Sequence, residues 1–241
     1  MCKFVYFGSS KISEFVLDEL RKAGLEPVLT VTSAREAIDL DKFREINADV
    51  FVVASFGKIL PAELIYMPKH KTLNMHPSLL PRLRGPAPIQ GAIMGEKETG
   101  ITIMRMDERM DHGPIIAQEK VAITPWPDYY RAVEERLGRA GGKLLAEVLP
   151  KWIKGELQEV EQDESAATYT KLIRKEDADI STDSPEHAYK KILAYEVWPR
   201  ARKGDLIITH AHLDGGELVI DRVLPPGKKE MLYADYLRGR H

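Results

Sequence analysis

Runs of apolar residues mark the first strands. Lys3-Phe-Val-Tyr-Phe-Gly8, Glu26 to Thr32 and Asp49 to Ala54 are nearly continuous in Val, Leu, Phe and Thr. The first is followed by Ile12, Phe15, Val16 and Leu20 at helical spacing, with Ser10 placed to cap and Gly24 to terminate. A short helix is predicted over 34–46. Strand, helix, strand, helix, strand with continuous apolar strands predicts a parallel sheet covered on both faces. Gly8-Ser9-Ser10 opens a helix without the glycine spacing of a dinucleotide site, so it is read as a tight turn.

Alternation takes over next. Lys71-Thr-Leu-Asn-Met-His76 is read as a strand stopped by Pro77, which has no amide proton for the ladder. Pro86 and Pro88 suit the first turn of a helix running to Met94. Thr99 to Met106 and Ile115 to Ile123 are predicted as antiparallel strands around the polar turn 107–113. A long helix is expected from Pro125 to Trp152, with Gly141-Gly142 loosening or kinking it. Beyond it lie a helix over 185–195 and strands over 206–212 and 217–224, joined at Asp214-Gly-Gly216; a short end piece covers 231–237. The expected division is a catalytic domain over 1–155, a connector over 156–183 and a reduced C-terminal domain over 184–241.

Composition narrows the class. Among 241 residues, 35 Lys and Arg stand against 37 Asp and Glu, so nucleic-acid contacts would need local patches rather than a global field. No apolar run reaches the length of a membrane span, and the opening residues lack the architecture of a signal peptide. Cys2 is the only cysteine, so no internal disulfide can form, which fits a cytoplasmic location.

The candidate chemistry centres on Asn74 and His76. Residues two apart on a strand share a face, so both point away from Leu73 and Met75 where the strand ends. On its own the pair reads best as polar residues meeting water. Asp111, in the turn between two strands, could hold the imidazole in its charged form. An imidazolium beside a carboxamide presents two donors to an oxygen that becomes negative, which suits acyl or formyl transfer without a covalent enzyme intermediate. Ser78 is read as a loop-capping hydroxyl. Spacings for a metal site are absent, and His210 and His212 read as surface histidines.

The run Asn74-Met-His-Pro-Ser-Leu-Leu-Pro-Arg-Leu-Arg-Gly85, then Ala87-Pro-Ile-Gln90, Thr99-Gly-Ile-Thr102, Met106-Asp107 and Asp111-His-Gly113, resembles the tetrahydrofolate-dependent formyltransferases. Gln162 to Tyr169, Lys175-Glu-Asp177, Trp198-Pro199 and Gly227 to Met231 are similar to the branch that acts on methionyl-tRNA. The resemblance implies a Rossmann-like domain with a mostly parallel sheet and a small, truncated OB-like C-terminal domain. It implies 10-formyltetrahydrofolate as donor, no metal, and the α-amine of methionine on initiator tRNA as acceptor. Asn74, His76 and Asp111 would be catalytic. The folate would lie against Phe56, Gly57, Ile59 and Met110, with Ser78, Leu79, Leu80 and Pro81 lining its site. Arg82, Arg84, Arg200, Arg202 and Lys203 are the expected tRNA contacts, and a monomer is expected.

Two departures from the family pattern stand out. The long basic loop the family carries after Ser33 is missing, since the chain goes almost directly to Asp49, and the C-terminal stretch is too short for a closed five-stranded barrel. Three other readings stay open: transfer to a sugar amine, release of formate by hydrolysis, and a non-catalytic folate- or tRNA-binding protein.

Overall fold

The computed structural model describes residues 2–239. In chain order the elements are β1 (Phe4–Phe7), α1 (Lys11–Lys22), β2 (Leu29–Val31), α2 (Leu40–Ile46), β3 (Val50–Val53), α3 (Ala62–Tyr66), β4 (Thr72–His76), α4 (Pro88–Gly95), β5 (Thr99–Arg105), β6 (Ile115–Val121), α5 (Tyr130–Ile153), α6 (Pro185–Ala194), β7 (Arg202–Lys203), β8 (Leu206–Asp214), β9 (Glu217–Leu224), β10 (Met231–Leu232) and α7 (Tyr233–Arg238). They form two compact units. The first comprises Met1–Pro88, Glu98–Ala122 and Glu134–Thr170, and the second Ile89–Lys97, Ile123–Val133 and Lys171–His241.

The first unit carries a six-stranded sheet in the order β2-β1-β3-β4-β5-β6. Its first four strands are parallel, and β5 and β6 are antiparallel additions. Every residue of β1 and β3 is buried, which is why those runs read as continuously apolar. Beneath their carboxyl ends Phe7, Phe43, Phe51 and Phe56 pack with ring centroids 5.4–5.7 Å apart. Because β1, β3 and β4 are parallel, the loops leaving them gather on one sheet edge, the usual ligand side of an open α/β sheet. The Ser9 hydroxyl donates to Phe56 O at 2.5 Å and ties two of those loops together.

Helix α5 runs unbroken through Gly141 and Gly142. Those glycines serve packing rather than the kink expected of them. A Cβ on Gly141 would stand 2.8 Å from Met75 Cγ, so its absence lets α5 lie close against β4. The helix starts later than expected, at Tyr130 rather than Pro125. The expected connector is not one segment. Residues 156–170 belong to the first unit because their backbone bonds there: Val160 exchanges hydrogen bonds with Ile115, and Tyr169 bridges Arg84.

The second unit holds an antiparallel sheet in the order β10-β9-β8-β7, covered by α6 over Ile180, Ala188, Ile192, Ala201, Ile208 and Val223. Strands β7 and β10 have two residues each, too few to leave a periodic signal. Among the described residues, no helix is long and apolar enough to cross a membrane.

Candidate active site

Strand β4 delivers the first two groups. Asn74 pairs with Val53 on one side and Met104 on the other, and His76 pairs with Thr102, so both backbones are fixed in the sheet. His76 is buried at the strand end. Its Nε2 lies 3.0 Å from Leu83 O. A carbonyl can only accept, so Nε2 carries a proton. The other ring nitrogen, Nδ1, faces Asp111 Oδ1 at 3.5 Å. That separation exceeds a normal hydrogen bond and leaves Nδ1 with donor capacity to spare when protonated. The Asn74 carboxamide is half-buried and, among the described residues, makes no hydrogen bond.

Asp111 comes from the turn joining β5 to β6, where its φ is +50°. That left-handed conformation is uncommon for a side-chain-bearing residue, and Asp tolerates it better than most. Its Oδ2 accepts from Gly85 N at 2.7 Å, so one carboxylate oxygen is anchored while the other faces the imidazole. Gly113 closes the turn against Arg105, leaving no room for any side chain.

The loop after His76 is held by internal bonds. Ser78 Oγ donates to Arg82 O at 2.7 Å, and Thr102 Oγ1 donates to Ser78 O and accepts from Leu80 N. The Gln118 amide donates to Leu80 O at 2.8 Å. Leu83, at φ +61°, aims its carbonyl at His76, and its N–H donates to Thr168 Oγ1 at 2.8 Å. Arg84 is 0% exposed. Its Nε and Nη2 donate to Gln162 Oε1, its Nη1 and Nη2 to the Glu164 carboxylate, and its Nη1 also to Tyr169 Oη. The bond from Arg84 holds the Glu164 carboxyl below its ordinary range.

Several expected contacts need correcting. Arg84 cannot reach a phosphate, because it is buried and its guanidinium is engaged on every nitrogen. Arg202 is half-buried and donates from one nitrogen, Nη2, to Lys175 O at 2.7 Å. The Phe56 side chain packs into the aromatic core, so only its backbone faces the sheet edge. Ser78 and Leu80 are buried too, with the Ser78 hydroxyl engaged as a loop cap. Ile59 and Met110, by contrast, are 86% and 57% exposed, apolar side chains left facing solvent on the two loops expected to hold a ring. Gly57 has a φ of +71°, Leu79 and Pro81 are half-buried, and Arg82 is exposed. Lys203 is exposed, while Arg200 is half-buried and lines a cavity of about 310 Å³ in the second unit with Arg131, Tyr195, His210 and Glu230. His210 and His212 pair with Glu230 and Asp221, as surface histidines do. No group of three metal-ligating side chains occurs among the described residues. Residue-level reading missed Gln162, Thr168 and Thr170 as neighbours of this site; only the family-like run 162–169 pointed to that segment.

Comparison with known proteins decides the family. A model of the formyl transferase family matches residues 8–149. A methionyl-tRNA formyltransferase of Halalkalibacterium halodurans is 36% identical, over 88% of this chain and 77% of its own length. The chain belongs to the formyl transferase family. The resemblance read from its motifs is thereby borne out, and this member is a formyl-transferring enzyme. The fold agrees. The methionyl-tRNA formyltransferase from Clostridium thermocellum superposes with a TM-score of 0.72 at 18% identity, over 96% of this chain and 100% of that one. An N-formyltransferase from Helicobacter canadensis, solved with folinic acid and dTDP-3-aminofucose, gives 0.71 at 19% identity over 89% and 88%.

Proposed function

We propose that this formyltransferase moves the formyl group of 10-formyltetrahydrofolate onto the α-amine of methionine carried by initiator tRNA, as a cytoplasmic monomer. One observation carries the chemistry. The imidazole of His76 is pinned through Nε2, presents Nδ1 to Asp111, and shares a strand face with the free carboxamide of Asn74.

The bound folate supplies the formyl carbon and N10 as leaving group. Asn74 and the protonated Nδ1 of His76 donate to the formyl oxygen as it takes up negative charge. Asp111, through the Oδ1 that faces His76, accepts a proton from the attacking amine, directly or through one water. The new N–C bond forms as the N10–C bond breaks, and the proton from the amine ends on N10. No Ser or Cys nucleophile is required. The exposed apolar side chains of Ile59 and Met110 suit the faces of a pterin.

The acceptor rests on the kinship with methionyl-tRNA formyltransferases, together with the family-like run 162–169. For tRNA contact, Arg82, Arg200, Arg202 and Lys203 remain, after the withdrawal of Arg84. Phosphate contacts of that kind make affinity fall with salt. Transfer to a sugar amine is the second reading, favoured by the short passage from β2 to α2 in place of a long basic loop.

One assay separates these readings. The purified protein is given 10-formyltetrahydrofolate with methionyl-tRNA, with an amino-sugar nucleotide, or with water alone. Rapid formylation of the tRNA amine is expected. Product only with the sugar, or formate release without any acceptor, overturns the tRNA assignment.

A further inference from the structure

Gln162 lies outside the proposed catalytic set, yet its amide joins the two segments that form the site. Its Nε2 donates to Asp111 O at 2.9 Å and to Gly113 O at 2.7 Å, so both of its protons hold the turn that carries the carboxylate. Its Oε1 accepts from Arg84 Nε at 3.1 Å and Nη2 at 2.8 Å. Arg84 directly follows Leu83, whose carbonyl fixes the His76 ring. The amide is buried and all of its hydrogen-bonding directions toward protein are used in these four bonds.

We propose that Gln162 is a positioning residue for formyl transfer, setting the 3.5 Å spacing between Asp111 and His76 by bracing the turn 111–113 against the loop 83–85. This rests on the assignment of Asp111 and His76 as reacting groups. A primary amide is the side chain the position demands. It must donate twice on one side to backbone carbonyls and accept twice on the other from a guanidinium. A carboxylate would meet those carbonyls with lone pairs, and an apolar side chain would leave donors and acceptors without partners in a buried place. Within the turn, Asp107 accepts from Arg109 N at 2.9 Å and pairs with His112 Nδ1 at 2.6 Å, but those bonds leave the carbonyls of Asp111 and Gly113 to Gln162.

The test uses Gln162→Met and Gln162→Glu in the full chain. Gln162→Glu keeps the partner of Arg84 but sets a carboxylate oxygen against the turn's carbonyls in place of the two donors, so it remains informative if Gln162→Met folds poorly. Each is expected to lower kcat by on the order of 10²-fold, with KM for the folate within a few-fold, because a misplaced catalytic group costs rate rather than binding. In an Asp111→Asn background the same changes should cost little more, since the braced group is already disabled. A second readout needs no substrate. The imidazole ¹⁵N resonances of His76 should move in Gln162→Glu as they do in Asp111→Asn. Wild-type turnover with any formyl acceptor tests the assignment of the site separately from the role of Gln162. The proposal is overturned if the Gln162 variants keep wild-type kcat, if their losses add fully to that of Asp111→Asn, or if the His76 resonances stay where they are in the wild type.

Discussion

The two halves of the active site are held by different means. Asn74 and His76 ride on β4, Asn74 paired on both sides and His76 with Thr102 of β5, and the strand is backed by α5. Asp111 sits on a turn at positive φ, and side chains remote in sequence keep it there: Gln162 bonds the turn's carbonyls, and Arg84 bonds Gln162. A strand positions its residues by cooperative backbone bonding and can absorb a local change. A turn fixed by single side-chain contacts cannot, so its geometry rests on each contact being present. Rate and stability should therefore respond differently on the two sides.

The largest effect should come from the strand half itself. His76→Ala removes the donor and is expected to lower turnover by about 10²–10⁴-fold, the range of general acid–base contributions, with the protein still folded by circular dichroism. Formylation within a few-fold of wild type would remove His76 from the chemistry.

Next comes a matched pair of small insertions. Gly113→Ala forces a methyl group onto the Arg105 carbonyl, which as backbone cannot swing aside. A loss of about 1–3 kcal/mol is expected in denaturant titrations, and kcat should fall with it. Gly141→Ala meets the buried Met75 side chain, nearest at Cγ, 2.8 Å away, so a side chain rather than backbone has to shift. Its cost should stay under about 1.5 kcal/mol with kcat nearly unchanged. Equal losses of rate from the two changes would dissolve the contrast between strand and turn.

The smallest effect concerns pH. Hydrogen bonding from Arg84 lowers the Glu164 pKa from its ordinary 4.5. The unfolded chain therefore binds a proton more readily, so this pair stabilises the fold fully above pH 4.5 and less as pH falls through the depressed folded value. Thermal melts should drop in that acid window, and Glu164→Gln should flatten part of the drop. An unaltered acid profile in Glu164→Gln would show that the pair contributes nothing there.

Different kinds of feature differed in legibility. The parallel strands could be read because burial on both faces leaves continuous apolar runs, as in Val50-Phe-Val-Val53. The strand half of the site was legible from alternation in Thr72 to His76, which fixes which residues share a face. The turn half was legible in Asp111 alone, and not in what holds it. Asp111 in a polar turn looks ordinary, and its bond to Gly85 N joins residues far apart in sequence. Arg84 misled for the same reason. A basic residue in a loop reads as solvated, and its burial depends on Gln162, Glu164 and Tyr169 arriving from a segment whose pattern is uneven. The glycines of α5 looked like a weakness because propensity counts against them, whereas close packing decides their role, Gly141 against Met75 of β4 and Gly142 against Val16 and Glu19 of α1.

The most direct test of the account is Asp111→Asn, measured as single-turnover formyl transfer at saturating folate and methionyl-tRNA. The substitution keeps an acceptor for Gly85 N and the shape of the turn, and removes the charge facing His76. The account predicts a rate lower by about 10²-fold or more, with the melting temperature close to wild type. A rate within a few-fold of wild type in a folded protein would contradict it.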